Sequence, residues 1–150
     1  MEAYRGHALE GASAIELVVA LYDGIIRFLT LAIEAVERSD PEQRRAAVKR
    51  ALDIVIHLQA RLRMDIGGRP AQALSEFYAA IFAQVLQASQ AASKPKFEHA
   101  IECVRSVRDA WRQAARDPAL FSVPLEAVNR VVHPTPTAGA SESPVSAWTA

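Results

Sequence analysis

Four long stretches of this chain repeat apolar residues every three or four positions, and short breaks punctuate them. That period places apolar side chains along one face of an α-helix. The first stretch runs from Ala14 to Arg38, with Ile15, Val18, Tyr22, Ile25, Ile26, Leu29, Ile33 and Val36 on one stripe. Glu16, Asp23, Arg27, Thr30, Glu34 and Glu37 form its wet side. Ser13 followed by Glu16 has the spacing of a capping box, which predicts a helix start there. Asp40-Pro41 is a second start signal, a cap followed by a proline whose missing N–H costs nothing at the first helical position. The second helix carries Val48, Ala51, Leu52, Val55, Leu58 and Leu62 inward and is predicted to stop at Gly67-Gly68. Pro70 opens a third, with Leu74, Phe77, Tyr78, Ile81, Val85 and Ala88 inward. Ser93 starts a fourth, with Phe97, Ile101, Val104, Val107, Trp111 and Ala114 inward.

Short connections force sequence neighbours to lie antiparallel, and four such helices close around one core. The predicted fold is all-α, an antiparallel up-down four-helix bundle. The first and third helices are net acidic and the second and fourth net basic, so neighbours in such a ring alternate in sign. Beyond Arg116 the composition changes, and five of the eight prolines fall there. Leu125, Val128 and Val132 predict a short fifth helix near 123–132. From His133 on, Pro, Thr, Ala, Ser and Gly dominate, too little apolar surface to offset ordering entropy. The expected organisation is a helical-bundle domain over 1–132 and a flexible tail over 133–150.

Several function classes are disfavoured. Apolar residues make up 51% and charged residues 23%, which suits a globular chain. Lys+Arg and Asp+Glu both number 17, and a net charge of zero argues against nucleic acid as a partner. The one cysteine, Cys103, forms no internal bridge and reads as a small core residue. With no 18-residue apolar run and no signal-peptide pattern at Met1–Gly11, the expectation is a cytosolic protein without membrane insertion. His7, His57, His99 and His133 are scattered, so neither a metal site nor a cofactor is expected. Asp53 and His57 share a helical face but read as a solvated pair. Gly67-Gly68-Arg69 lacks the ending of a phosphate loop. Nothing pairs a nucleophile with a base, and no enzyme is expected.

The anomaly is surplus apolar surface. A core-facing helix needs a stripe a little over ~100° wide. On the first helix Leu17, Leu21, Phe28 and Ala35 widen it to about twice that, and Leu31 lies beyond. Gly24 sits mid-helix, where glycine costs about 1 kcal/mol and signals close approach by another group. Phe82 and Leu86 widen the third helix on one flank, and Ile54 the second. The third helix is otherwise smooth, with Glu76 its one charge between Pro70 and Ala91. Such surface suits docking of an apolar helix from another chain or self-association. Lys49, Arg50, Arg61 and Arg63 form a modest basic face, read as solvated.

The stretch Leu17-Val18-Val19-Ala20-Leu21-Tyr22-Asp23-Gly24-Ile25-Ile26-Arg27-Phe28 resembles the signature of the flagellin export chaperone (FliS) family. Asp65-Ile66-Gly67-Gly68 with Leu74 and Tyr78 resembles that family's second-to-third helix junction, and Val107-Arg108-Asp109-Ala110-Trp111 its closing segment. The match runs from about Tyr4 to Ala115. The resemblance implies an antiparallel bundle in the bacterial cytosol whose partner is the disordered C-terminal segment of flagellin. That segment would become helical in apolar grooves, which would stop premature polymerisation and assist delivery to the flagellar export gate. Tyr4, Leu17, Leu21, Gly24, Phe28, Ile54, Phe82 and Leu86 are the expected partner-binding residues, and the free protein is expected to be a monomer or weak homodimer. The family usually has Thr-Ala-Ser-Pro before the first helix, where this chain has Gly11-Ala12-Ser13-Ala14. A tyrosine in the family's leader folds over a groove when flagellin is absent, a role for which Tyr4 is the candidate. The competing expectation is a self-associating or regulatory bundle that binds another amphipathic helix.

Overall fold

A computed structural model describes residues 2–62, 64–65 and 67–116, with side chains described from residue 14 onward. Four helices follow one another: α1 (Glu2–Glu37), α2 (Pro41–Ala60), α3 (Gly68–Gln90) and α4 (Lys94–Arg116). Each packs on its sequence neighbours, and α4 closes the ring against α1. The result is the expected all-α antiparallel four-helix bundle. Tyr22, Ile25 and Leu29 of α1, Val55 of α2, Phe77, Ile81 and Val85 of α3, and Phe97, Val104 and Val107 of α4 fill its core. The inward stripes predicted from periodicity are the buried or half-buried ones in all four helices. Ala32 and Ala35 of α1 are fully buried, so small side chains let its neighbours approach closely.

Two junctions share one device. At the end of α1 the amide of Asp40 donates to the Ala35 carbonyl (2.8 Å) and that of Ser39 to Val36 (3.0 Å), with Ser39 at φ 54°. At the end of α3, Ser93 donates to Ala88 (3.0 Å) and Ala92 to Ser89 (3.1 Å), with Ala92 at φ 45°. These are Schellman closures, which satisfy the last carbonyls of a helix through one left-handed residue. The residue that completes each closure also caps the next helix. The Asp40 carboxylate accepts from the Gln43 amide (3.0 Å), and the Ser93 hydroxyl from that of Lys96 (3.3 Å). Both predicted start signals hold.

Two predicted boundaries are corrected. α1 begins at Glu2 rather than Ala14, so Ser13 lies inside the helix and not at its start. The reason lies in the departure from the family pattern. Ala14 stands where a proline would have barred an earlier turn, and Glu2, Ala3, Ala8, Leu9, Glu10 and Ala12 favour helix. The second correction concerns α2, which ends at Ala60 and not at Gly67-Gly68. Its last turn tightens as Arg61 donates to Leu58 and Leu62 to Gln59, each at 3.2 Å. The glycine pair instead opens α3, where Gly68 at φ 56° turns the chain into the helix. The fifth helix predicted near 123–132 and the tail at 133–150 lie outside the described residues.

Candidate partner-binding surface

α1 lies between two neighbours that treat it differently. Toward α4 it presents Asp23, whose carboxylate accepts from Arg108 (2.7 Å) and Arg112 (3.4 Å). Burial opposes the charge on Arg108, but hydrogen bonds to Asp23 and Asp109 raise its pKa above the ordinary arginine value. At the other end of this seam Lys94 pairs with Glu37 at 3.4 Å. Just inside, the Trp111 indole N–H donates to the Tyr22 hydroxyl (3.3 Å), which shares a hydrogen bond with the Tyr78 hydroxyl of α3 (2.7 Å). Phe77 stacks on Tyr22, with ring centroids 6.4 Å apart. Burial pushes the Tyr22 hydroxyl well above its usual value and Tyr78 up to about 12.

Toward α2 the side chains are apolar. Leu17, Gly24, Phe28, Leu31 and Ala35 recur at steps of seven, four, three and four residues, which aligns them on one side of the helix. A Cβ on Gly24 would lie 3.0 Å from Cδ1 of Ile54, so α2 itself makes the close approach that the glycine predicted. Leu21, Phe28 and Ile54 are half-buried, packed against the core. Leu17 remains 53% exposed and Leu31 42%. Phe28 and Leu31 border shallow hollows completed by Arg38, Ala46, Lys49 and Arg50. The Arg27 and Arg50 guanidinium groups sit over the Phe28 ring, at 5.0 and 5.7 Å from its centroid.

Phe82 and Leu86 of α3 lie seven and eleven residues beyond Ser75, on the same flank of the helix. The Ser75 hydroxyl accepts from the Gln59 amide of α2 (2.6 Å), so this flank faces α2. Phe82 is half-buried and Leu86 38% exposed. Ile56 of α2, on the Gln59 side, is 53% exposed and was not among the expected residues. Its signal was an isoleucine between Val55 and His57, outside the α2 core stripe. α2 is therefore bordered by apolar flanks on both sides. Leu17, Leu21, Gly24, Phe28 and Ile54 meet along one, and Phe82 and Leu86 lie along the other. Tyr4 belongs to the N-terminal part of α1, and its side chain lies outside the described ones.

Among the described residues the polar groups show no activated constellation. Cys103 is buried, with its sulfur 3.8 Å from Nε2 of His99. Burial and the neighbouring Glu102 push its thiol pKa up, away from the reactive thiolate. Asp53 pairs with Lys49 (3.2 Å) on the exposed face of α2, and His57 is exposed. Among the described residues no three His, Cys, Asp or Glu side chains gather as metal ligands. No described helix is long and apolar enough to cross a membrane.

An antiparallel four-helix bundle with apolar seams open on either side of its second helix is the class that fold and surface define. The chain belongs to the FliS family, whose model, described as flagellar protein FliS, matches residues 1–118. Several relatives carry the name flagellar secretion chaperone FliS. That of Vibrio cholerae is 30% identical over 105 residues, 70% of this chain and 77% of its own. That of Bacillus subtilis is 27% identical over 112 residues, covering 75% and 83%. The Campylobacter jejuni protein is 32% identical over 98 residues, covering 65% and 77%.

Proposed function

We propose that this protein is a cytosolic flagellar secretion chaperone that binds the C-terminal segment of flagellin along the apolar seams beside α2. It works by binding, without chemistry or cofactor. By covering that segment it keeps the subunit from polymerising early and hands it to the flagellar export gate. Family membership and the printed names of the relatives support the secretion role. The observation that carries the binding mode is the open α1–α2 seam, where Leu17 and Leu31 stay exposed beside half-buried Phe28. An incoming helix would bury those side chains at about 25 cal/mol per Å² of apolar area.

The test is calorimetry and circular dichroism with a flagellin C-terminal segment. The expected result is 1:1 binding with a gain in helicity and a negative heat-capacity change, as coupled folding buries about 1,000–3,000 Å². Leu17→Asp and Leu86→Asp should weaken binding while leaving the thermal midpoint within a few degrees. Absence of heat and of a dichroism change at tens of micromolar would remove the reading. If sedimentation then showed a concentration-dependent dimer lost in Leu17→Asp, the seams would be a self-association face.

A further inference from the structure

The α1–α2 seam is cationic as well as apolar, although the chain as a whole carries no net charge. Arg27 of α1 and Arg50 of α2 cover the Phe28 ring from the two sides of the seam. Arg38 and Lys49 border the adjoining hollows. Asp53 is the one acid on that border, and it is engaged by Lys49 at 3.2 Å. Among the described residues Arg27, Arg38 and Arg50 make no ion pair, whereas Arg108 and Arg112 on the opposite side of α1 share Asp23. Arg27 and Arg50 thus lie over the half-buried Phe28 ring and Arg38 borders the hollow beside it, and none of the three meets a carboxylate among the described residues.

We infer that the α1–α2 seam selects an amphipathic helix whose apolar face is flanked by carboxylates, with Arg27, Arg38 and Arg50 as the groups that meet them. This deepens the proposed function and rests on it only for the identity of the natural segment. Guanidinium forks match carboxylates bidentately, and Phe28 between them supplies the apolar contact that fixes register. A helix with lysines beside its apolar face would meet like charge at the same places, so the surface discriminates by repulsion as well as attraction. Clustered cations also raise the rate of encounter with an acidic segment, an effect that falls with ionic strength.

The experiment uses the full chain, a flagellin C-terminal segment, and two synthetic amphipathic peptides. The peptides share one apolar face and differ only in having Glu or Lys beside it. The Glu-flanked peptide should bind at least about tenfold more tightly at low salt, with the preference shrinking as salt rises. The Arg27→Glu/Arg50→Glu variant should reverse that preference, slow association of the flagellin segment about tenfold, and keep a thermal midpoint close to the parent's. Equal binding of the two peptides, or a preference the charge reversal leaves intact, overturns the inference. Should the flagellin segment fail to bind while the Glu-flanked peptide keeps its salt-sensitive preference, the inference stands and the flagellin reading falls.

Discussion

The two seams of α1 differ in what the chain supplies for itself. Against α4, Asp23 is met by two arginines, Glu37 by Lys94, and Trp111 donates to the Tyr22 hydroxyl. Against α2, arginines lie over an aromatic ring and two leucines stay exposed. Backbone geometry does not cause this, because α1 packs on both neighbours along much of its length. Composition does. The α4 side of α1 offers acids that α4 answers with cations, while the α2 side offers Gly24 and Phe28, which α2 meets with Ile54 and Arg50 and with no carboxylate. A seam that satisfies its own groups contributes to stability, and one that leaves them open is available for recognition.

The sharpest control lies beneath both seams. Ile25 is 2% exposed, and Ile25→Asp should unfold the bundle, a loss above about 4 kcal/mol seen by denaturant titration, because no partner awaits a buried carboxylate. The closed seam also predicts a response to alkali. Burial holds the folded-state pKa of Tyr22 and Tyr78 above the unfolded value near 10, with Tyr78 at about 12. Their contribution is complete below pH ~10 and is lost as pH climbs through about 12. Chemical-denaturation midpoints should fall over that window, and less steeply in Tyr22→Phe/Tyr78→Phe.

Smaller effects separate the two sides. Asp23→Ala should cost about 1 kcal/mol, since half-buried Arg108 then keeps only Asp109. Arg50→Ala should cost only about 0.5 kcal/mol, because its partner is a partly exposed ring. Equal costs would show that the α2 seam is as closed as the other. The smallest effect is at Gly24. Gly24→Ala gains helix propensity of about 1 kcal/mol but crowds Cδ1 of Ile54 at 3.0 Å, so stability should change by less than ~0.5 kcal/mol. With Ile54→Val also made, that methyl is gone, and a double-mutant cycle should show favourable coupling.

Periodicity made the bundle and nearly all of its core legible, because one stripe per helix was enough to fix the inward faces. Asp40 and Ser93 were legible as caps because their side chains carry the signal. Their second role, completing the closure of the preceding helix, was not. Ser39 and Ala92 adopt left-handed backbone without being glycine, so composition gives no sign of either turn. The glycine pair at 67–68 was visible, but whether it closes one helix or opens the next depends on where α2 tightens. At the surface, Leu17, Phe28, Phe82 and Leu86 could be picked out as surplus on single helices. That Arg50 would reach the Phe28 ring could not, since it depends on the register between two helices.

The closure of α4 on α1 has a consequence for biosynthesis. Asp23 and Arg108 lie 85 residues apart, and α4 is the last of the four helices to emerge from a ribosome. At about 5–20 residues per second, α1 waits roughly 4–17 s for the helix whose arginines complete its closed side. α2 is made sooner, so the side of α1 that meets α2 can close first while the α4 side waits. Until then Asp23 has neither of its arginines and Tyr22 lacks the Trp111 donor, so the first helix made is the last to be completed.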